Sequence, residues 1–330
     1  MDIDRYGRPA YNIAWSTQKV NDKGDEFMEY FKKYDKNPVL GCETLGSMFD
    51  AYVSKENKMF RMDFSYRNKK SCAVSFSSDG VKWSTPVITL EPNPQSGWED
   101  DINRNCVLCI AGVYKMWYTG QANGHSWIGY AESTDGYHFE RKSAVPVLAF
   151  EHVWEGDSVM NPCVLYEEGK YKMWYSAGDT YEPNVIAYAE SDDGVNWIKW
   201  GNNPIFACNK ENYFEQDRIG GCSIIKTEDM NYLMFYIGYE DIDTARICVA
   251  RSKNGITNWE RSCHNPLIVP TPGEWDGDAC YKPAVAWNDK ENKWMLWYNG
   301  RKQSNEYIGL AECFVRNLFY AEQTEKSKCV

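Results

Sequence analysis

The sequence predicts an all-β fold in which five similar units of four antiparallel strands form a five-bladed β-propeller, and three recurrences in the chain carry that expectation. An aromatic core phrase repeats: YKMWY at 114–118 and 171–175, YLMFY at 232–236, WMLWY at 294–298, and a decayed copy, RMDFS, at 61–65. Ahead of each clear copy lies an aromatic followed three residues later by Asp, at Trp98/Asp101, Trp154/Asp157, Phe214/Asp217 and Trp275/Asp278. After each of the first four copies comes a Ser-led Asp-Gly or Asn-Gly turn, starting at Ser77, Ser133, Ser191 and Ser252, and leading to Trp83, Phe139, Trp197 or Trp259. Within a unit the apolar residues alternate over short runs rich in Tyr, Trp, Val and Ile, which is a strand period rather than a helical one. Four strands repeated every 50 to 60 residues or so is the sequence signature of a propeller blade. A pair of β-sandwich domains would suit the length. It would not need the same Trp-x-x-Asp phrase in successive units.

Taken in order, residues 1–36 are an N-terminal extension, in which Asn21–Lys36 has the apolar spacing of a short amphipathic helix with Phe27, Tyr30, Phe31 and Tyr34 on one side. That segment or the C-terminal tail is expected to lend a strand to close the ring, since closure removes exposed strand edges. The propeller spans 37–313. NPVL at Asn37 returns as VPVL at Val145, NPIF at Asn203 and NPLI at Asn265, marking the unit boundaries. In the third unit strands are expected at Cys163–Tyr166, Tyr171–Ser176, Val185–Ser191 and Trp197–Trp200, with GDTYEPN at 178–184 as a loop. The first unit lacks the lead-in aromatic and Asp, and its inner strand begins at Phe49-Asp50-Ala51. Residues 314–330 form a polar tail.

Composition narrows the partners. In 330 residues, 43% hydrophobic and 15% aromatic suit a packed core, and a formal charge of −11 argues against a polyanion such as nucleic acid on a broad surface. The twelve cysteines are scattered, several within predicted strands (Cys106, Cys163, Cys222, Cys248), and read as buried free thiols without zinc spacing. That usage, the start without basic and apolar leader regions, and the lack of a spanning apolar run lead to the expectation of a cytoplasmic protein off the membrane. Metal and cofactor motifs are not found, nor a phosphate loop, a His-Glu-x-x-His or a nucleophile elbow. Carboxylate acid-base chemistry remains.

Residues that repeat are expected to be scaffold, and residues that differ at one equivalent position are free to meet a ligand on the ring axis. The repeated Asp101, Asp157, Asp217 and Asp278 therefore read first as pins for loop N–H groups, as do Glu99, Glu155, Glu215 and Asp276 beside them. Aligning units on Ala51, Cys106, Pro162, Cys222 and Pro283, the preceding position holds Asp50, Asn105, Asn161, Gly221 and Lys282. The position before that holds Phe49, Arg104, Met160, Gly220 and Tyr281. Asp50, Arg104, Asn161, Tyr281 and Lys282 are thus expected to converge on one axial pocket. The variable loops SYRNKK (Arg67), GQANGHS (His125), GDTYEPN (Asp179, Glu182), GYEDID (Glu240, Asp241) and GRKQSNE (Arg301) should open on the same face. Such mixed polarity suits a hydroxyl-rich, uncharged ligand.

The phrases YKMWYSAG, IAYAESDDGVNW and WEGDSVMNPCVLYEEGKYKMWY resemble the five-bladed propeller glycosidases of families 43, 32 and 130, over roughly 37–313. In family 43 the resemblance implies an Asp base opening the first inner strand, an orienting Asp in the third blade and a Glu acid in the fourth. Here only Asp50 matches, since Asn161 and Gly221 stand at the other two positions. DRIGGCSIIKTEDMNYLMFYIG is similar to family 130, which implies that Arg104, Arg218, Lys282 and Arg301 can hold inorganic phosphate and turn hydrolysis into phosphorolysis. The expectation is a glycoside hydrolase acting on an oligosaccharide or glycoside. Its carboxylates would be an inverting pair about 6.5–9.5 Å apart. Asp50 would be the base and Glu240, Asp217 or Asp157 the acid, with Arg104, Asn161, Arg218, Tyr281, Lys282, Arg301, His125 and Asp179 on the substrate. The alternatives are a phosphorylase, a catalytically silent sugar-binding propeller, and a scaffold for protein partners, which would show a broad apolar patch instead of a polar pit.

Overall fold

The computed structural model describes residues 30–319 and two short strands before them, β1 (Lys19–Val20) and β2 (Glu26–Phe27), which pair antiparallel. Met1–Tyr30 and Phe31–Val330 are separate compact units. The expected helix over Asn21–Lys36 is corrected where it is described: Glu26–Phe27 and β3 (Lys32–Lys33) are strands. Residues 21–25 and 28–29 lie outside the described residues. Partnering overrides local periodicity here, because β3 has an open sheet edge to join.

The larger unit is all-β, with no α-helix among the described residues and none long and apolar enough to cross a membrane. Strands β4 (Met48–Glu56), β5 (Met59–Tyr66), β6 (Ser71–Ser77) and β7 (Val87–Leu90) form one antiparallel sheet. The next two meanders are β8 (Asp101–Ile110), β9 (Val113–Ala122), β10 (His125–Ser133), β11 (Glu140–Arg141) and β12 (Ser158–Glu167), β13 (Lys170–Asp179), β14 (Glu182–Ser191), β15 (Ile198–Lys199). A parallel bridge between Ser126 and Ser158 joins them into one eight-stranded sheet. The fourth meander is β16 (Arg218–Lys226), β17 (Tyr232–Tyr239), β18 (Ala245–Ser252) and β19 (Glu260–Arg261). The last is β20 (Ala279–Asn288), β21 (Lys293–Lys302) and β22 (Asn305–Cys313), and β3, from the beginning of the chain, is its fourth strand. It is the first segment, not the tail, that completes the last sheet.

The core phrase works because its side chains alternate between two neighbours. On β13, Tyr171, Met173 and Tyr175 pack with Trp117 and Tyr130 of the preceding meander, while Trp174 packs with Met234 and Tyr236 of the following one. Each such ring removes roughly 200 Å² from water, on the order of 4–5 kcal/mol. The last meander packs on the first in the same way, with Trp297 and Leu310 against Phe60, Met62 and Phe64. A directional bond accompanies this packing. The indole N–H donates to the glycine carbonyl of the next meander's Asp-Gly or Asn-Gly turn: Trp117 to Gly194 and Trp174 to Gly255, both 2.7 Å, and Trp297 to Gly80, 2.9 Å. The decayed copy is corrected by one residue: strand pairing aligns Phe60–Phe64, not 61–65, with Tyr114–Tyr118, so that Asp63 stands where the Trp would be and holds Arg61, which donates to Gly136 O at 2.8 Å. The copy is decayed in sequence only, since the contact survives with different chemistry.

The boundary phrases are strand extenders. The side-chain amides of Asn37, Asn203 and Asn265 each bond both backbone groups of one residue on a third strand, Leu310, Tyr188 and Val249 respectively. In the third meander GDTYEPN is not a free loop. β13 and β14 continue through it to a tight turn at Thr180-Tyr181, both with positive φ, and the inner strand starts at Ser158, five residues before the expected Cys163. The polar residues that suggested a loop belong to strand ends facing the cavity described next.

Candidate active site

Every inner strand carries a β-bulge at the same place, between Phe49/Tyr52, Asn103/Cys106, Met160/Cys163, Gly220/Cys222 and Tyr281/Ala284. At each bulge one residue has a left-handed φ: Asp50 (57°), Arg104 (53°), Asn161 (56°), Gly221 (42°) and Lys282 (48°). A left-handed non-glycine residue costs about 1–3 kcal/mol, and bulges re-aim side chains. Four of the five bulge N–H groups are satisfied by a side chain of the preceding meander: Asp50 N on Asn299 Oδ1, Arg104 N on Ser65 Oγ, Asn161 N on Thr119 Oγ1 and Gly221 N on Ser176 Oγ, at 2.8–3.1 Å. The sequence alignment is thereby corrected in the second unit. Arg104, not Asn105, is the counterpart of Asp50, because the extra residue of the bulge precedes Cys106 by two positions. Asn105 is buried with its amide unpartnered.

The five bulges surround a cavity of about 390 Å³. Asp50, Arg104, Asn161, Arg218, Tyr281, Lys282 and Arg301 line it, together with Phe49, Arg67, Gln121, Tyr181, Glu182, Tyr239, Asp243 and Glu306. Asp50 is 3% exposed. Its Oδ1 accepts from Asn299 Nδ2 at 3.2 Å, its Oδ2 from Ser65 Oγ at 3.4 Å, and Arg104 Nε stands 3.7 Å away. Glu306 accepts from Tyr281 O–H on one oxygen and from Arg67 on the other, with Arg67 stacked on Phe49. Arg218 lies 4.2 Å from the Tyr239 ring and donates to Asp217 and to Glu182 Oε2, the latter at 3.0 Å. Burial, then the Glu306 charge, pushes the Tyr281 phenol well up, and burial, then Glu182, does the same to Tyr239. Both phenols stay protonated donors at neutral pH.

Five cations and four carboxylates thus share the wall of a cavity in a protein of net charge −11. Lys282 is 4% exposed and, among the described residues, makes no ion pair. Arg104 Nη1 and Arg218 Nε are buried without an acceptor. Beneath Lys282 lie Cys106, Cys163 and Cys222, thiols pushed up by burial although the Lys282 charge pulls them the other way.

Other expected site residues are not on this lining. Glu240 pairs with Arg246 at 2.5 Å. Asp157 accepts Thr180 N at 2.7 Å, His125 Nδ1 stands 3.1 Å from the Asp157 carbonyl, and Asp179 accepts from Asn184. Asp217 touches the cavity only through Arg218. Asp278 accepts Gln303 N at 2.5 Å, so two of the four repeated aspartates pin loop N–H groups. Their acidic neighbours are scaffold: Glu99, Glu155, Glu215 and Asp276 are all at most 1% exposed. Each accepts the core-phrase hydroxyl, from Tyr118, Tyr175, Tyr236 or Tyr298, and a cation from the outer strand, Arg141, Lys199, Arg261 or, on β3, Lys33. Glu306 and Asp243 were missed although they sit in the variable loops. Counting back from Ser77, Ser133, Ser191, Ser252 and Cys313 puts Lys70, Ser126, Asn184, Ala245 and Glu306 at one position, where they differ from unit to unit as residues free to meet a ligand do.

Comparison with known proteins bears on the family and the fold. The N-terminal domain of glycosyl hydrolases family 32 matches residues 161–310. The uncharacterized protein Rv1502 of Mycobacterium tuberculosis is 32% identical over 282 residues, 78% of this chain and 88% of that protein. A 1,2-beta-oligomannan phosphorylase of Thermoanaerobacter is 33% identical over 37% of this chain and 43% of its own. Among solved structures, a thermostable family-43 glycoside hydrolase superposes with TM-score 0.67 at 18% identity, covering 84% of this chain and 91% of that one. A family-130 protein, from work on mannoside phosphorylases and hydrolases of β-1,2 mannosidic linkages, superposes with TM-score 0.66 at 16% identity, covering 90% and 96%. At those identities the superpositions speak for the fold alone.

Proposed function

The chain belongs to the propeller glycoside hydrolase superfamily, and on that premise we propose that it is a glycoside-cleaving enzyme with Asp50 as its catalytic carboxylate. We read the meanders as five blades of one ring over residues 37–313, with residues 1–36 an extension that supplies the closing strand and 314–330 a tail. The observation that supports the assignment is Asp50 itself: buried, fixed on a strained bulge, and facing a polar cavity with a donor on each oxygen. Those donors orient the carboxyl group toward the cavity. Its partner in hydrolysis is Glu182, because Glu306 has both oxygens occupied, Asp243 is more exposed (75% of its side chain against 59%), and Glu182 engages only Oε2. Asp50 takes a proton from water, the water oxygen bonds to the anomeric carbon, the glycosidic C–O bond breaks, and Glu182 protonates the departing oxygen.

The cations favour a second reading. Arg104 Nη1 and Arg218 Nε are buried donors without acceptors and Lys282 is 4% exposed, as in an anion site, and inorganic phosphate bound there would replace water as the nucleophile. One carboxylate then suffices, with Asp50 as the acid and a sugar 1-phosphate as the product. Incubating the protein with β-1,2-mannobiose and aryl glycosides, with and without phosphate, separates the two by product. Asp50→Asn stops both reactions, whereas Glu182→Gln stops hydrolysis only. Wild-type turnover in Asp50→Asn would exclude the assignment.

A further inference from the structure

We propose that the groove between the fourth and fifth meanders is a second glycosyl-binding subsite, so that the substrate is an oligosaccharide whose chain leaves the axial cavity on that side. This rests on the glycoside-cleaving reading above. The groove measures about 730 Å³ against about 390 Å³ for the axial cavity, and the two share Asp243 and Arg301 on their walls. Arg301 donates to Asp243 O at 2.7 Å and stands 3.5 Å from its carboxylate, so the two shared residues bridge neighbouring loops. A ligand in one is in contact with the boundary of the other.

The lining has the two chemistries that a pyranose presents. Tyr213, 47% exposed, and Val269, 41% exposed, with Pro270 and Pro272, offer apolar surface for the C–H face of a sugar ring. Asp278, Thr244 and Arg246 offer hydroxyl partners at the sides. Tyr213 is not part of the repeat: the residue before the lead-in aromatic is Gly97, Val153, Tyr213 or Glu274. It is therefore an aromatic that inter-blade packing does not require. Arg246 lies 5.2 Å from the Tyr213 ring centroid and is held from behind by Glu240 at 2.5 Å. This gives Glu240, whose loop is unlike those of the other units, a positioning task outside the axial cavity.

The test is calorimetric titration of Asp50→Asn protein with β-1,2-linked mannooligosaccharides of two to five units, and with xylo-, arabino- and fructo-oligosaccharides of the same lengths. For the sugar series that binds, affinity should rise about tenfold or more from two units to four. Adding Tyr213→Ala, or Val269→Trp to fill the groove, should bring that ratio close to one, with unchanged thermal melting showing that the fold is kept. Length-independent binding, or a ratio that neither variant moves, overturns the subsite and leaves the axial reading intact. Binding of no sugar at any length overturns the axial reading and the subsite with it.

Discussion

Asp50, Arg104, Asn161, Gly221 and Lys282 occupy one structural position five times over, and their differences are the chemistry of the cavity. Asp50→Asn should reduce turnover by roughly 10²–10⁴-fold, the range of a lost general acid or base, while its melting curve stays near wild type. Lys282 carries the phosphate reading. Phosphate at 100 times its Kd should stabilise the wild type by about 2.7 kcal/mol, seen as a raised melting temperature, and Lys282→Met should erase that rise. The buried repeat carboxylates make a different prediction. Burial alone would raise the Glu155 pKa, but Lys199 and the N–H groups of Glu151 and His152 outweigh it and hold it below the ordinary 4.5. A lowered carboxylate contributes stability above its unfolded value and loses it as pH falls through the folded one. Wild-type melting temperature should therefore drop as pH falls below 4.5, and Glu155→Gln, which leaves Lys199 only Glu151 at 3.4 Å and Ala149 O at 2.6 Å, should show a flatter acid limb.

At the scale of elements, β3, the fourth strand of the last sheet, is two residues long and its importance lies in one side chain. Lys33 Nζ reaches Asp276 at 2.5 Å, Val269 O at 2.6 Å and Thr271 Oγ1 at 2.7 Å, doing for the last sheet what Arg141, Lys199 and Arg261 do for theirs. Lys33→Ala leaves a buried carboxylate without its cation and should cost about 3–5 kcal/mol in denaturant unfolding. The indole-to-glycine bonds allow a graded comparison. The fourth meander already has Phe235 where the second, third and fifth have Trp, so Trp297→Phe should be tolerated at a cost of about 2 kcal/mol from the lost bond and volume. A larger loss than for Lys33→Ala would contradict this ranking.

For the whole molecule, the described cysteines are all free thiols, and cohesion comes from aromatic packing between sheets. Melting temperature should accordingly be the same within about 1 °C with and without a strong reductant, since no cross-link constrains the unfolded chain. Last sheet packs on first through Trp297, Leu310 and Phe60, and Asn37 and Lys33 tie the beginning of the chain to β22 and Asp276. Removing residues 1–36 should therefore expose the edge of β22 and lower solubility as well as stability.

The sequence by itself determined the strand content, the repeat and which face of each repeat is scaffold, because packing between like sheets demands like residues at like positions. It also brought Asp50, Arg104, Asn161, Tyr281, Lys282 and Arg301 to attention, since they break that likeness. It could not rank the carboxylates. Glu240 looked unusual for the same reason as Asp50, and only the tertiary structure separated them, by putting Arg246 on one and a cavity before the other. Nor could it align the second inner strand, where a bulge residue shifts Arg104 into the place assigned to Asn105. Periodicity is a property of neighbours along the chain, whereas the distance between a carboxylate on β4 and an arginine on β16 exists only once the sheets have packed on one another.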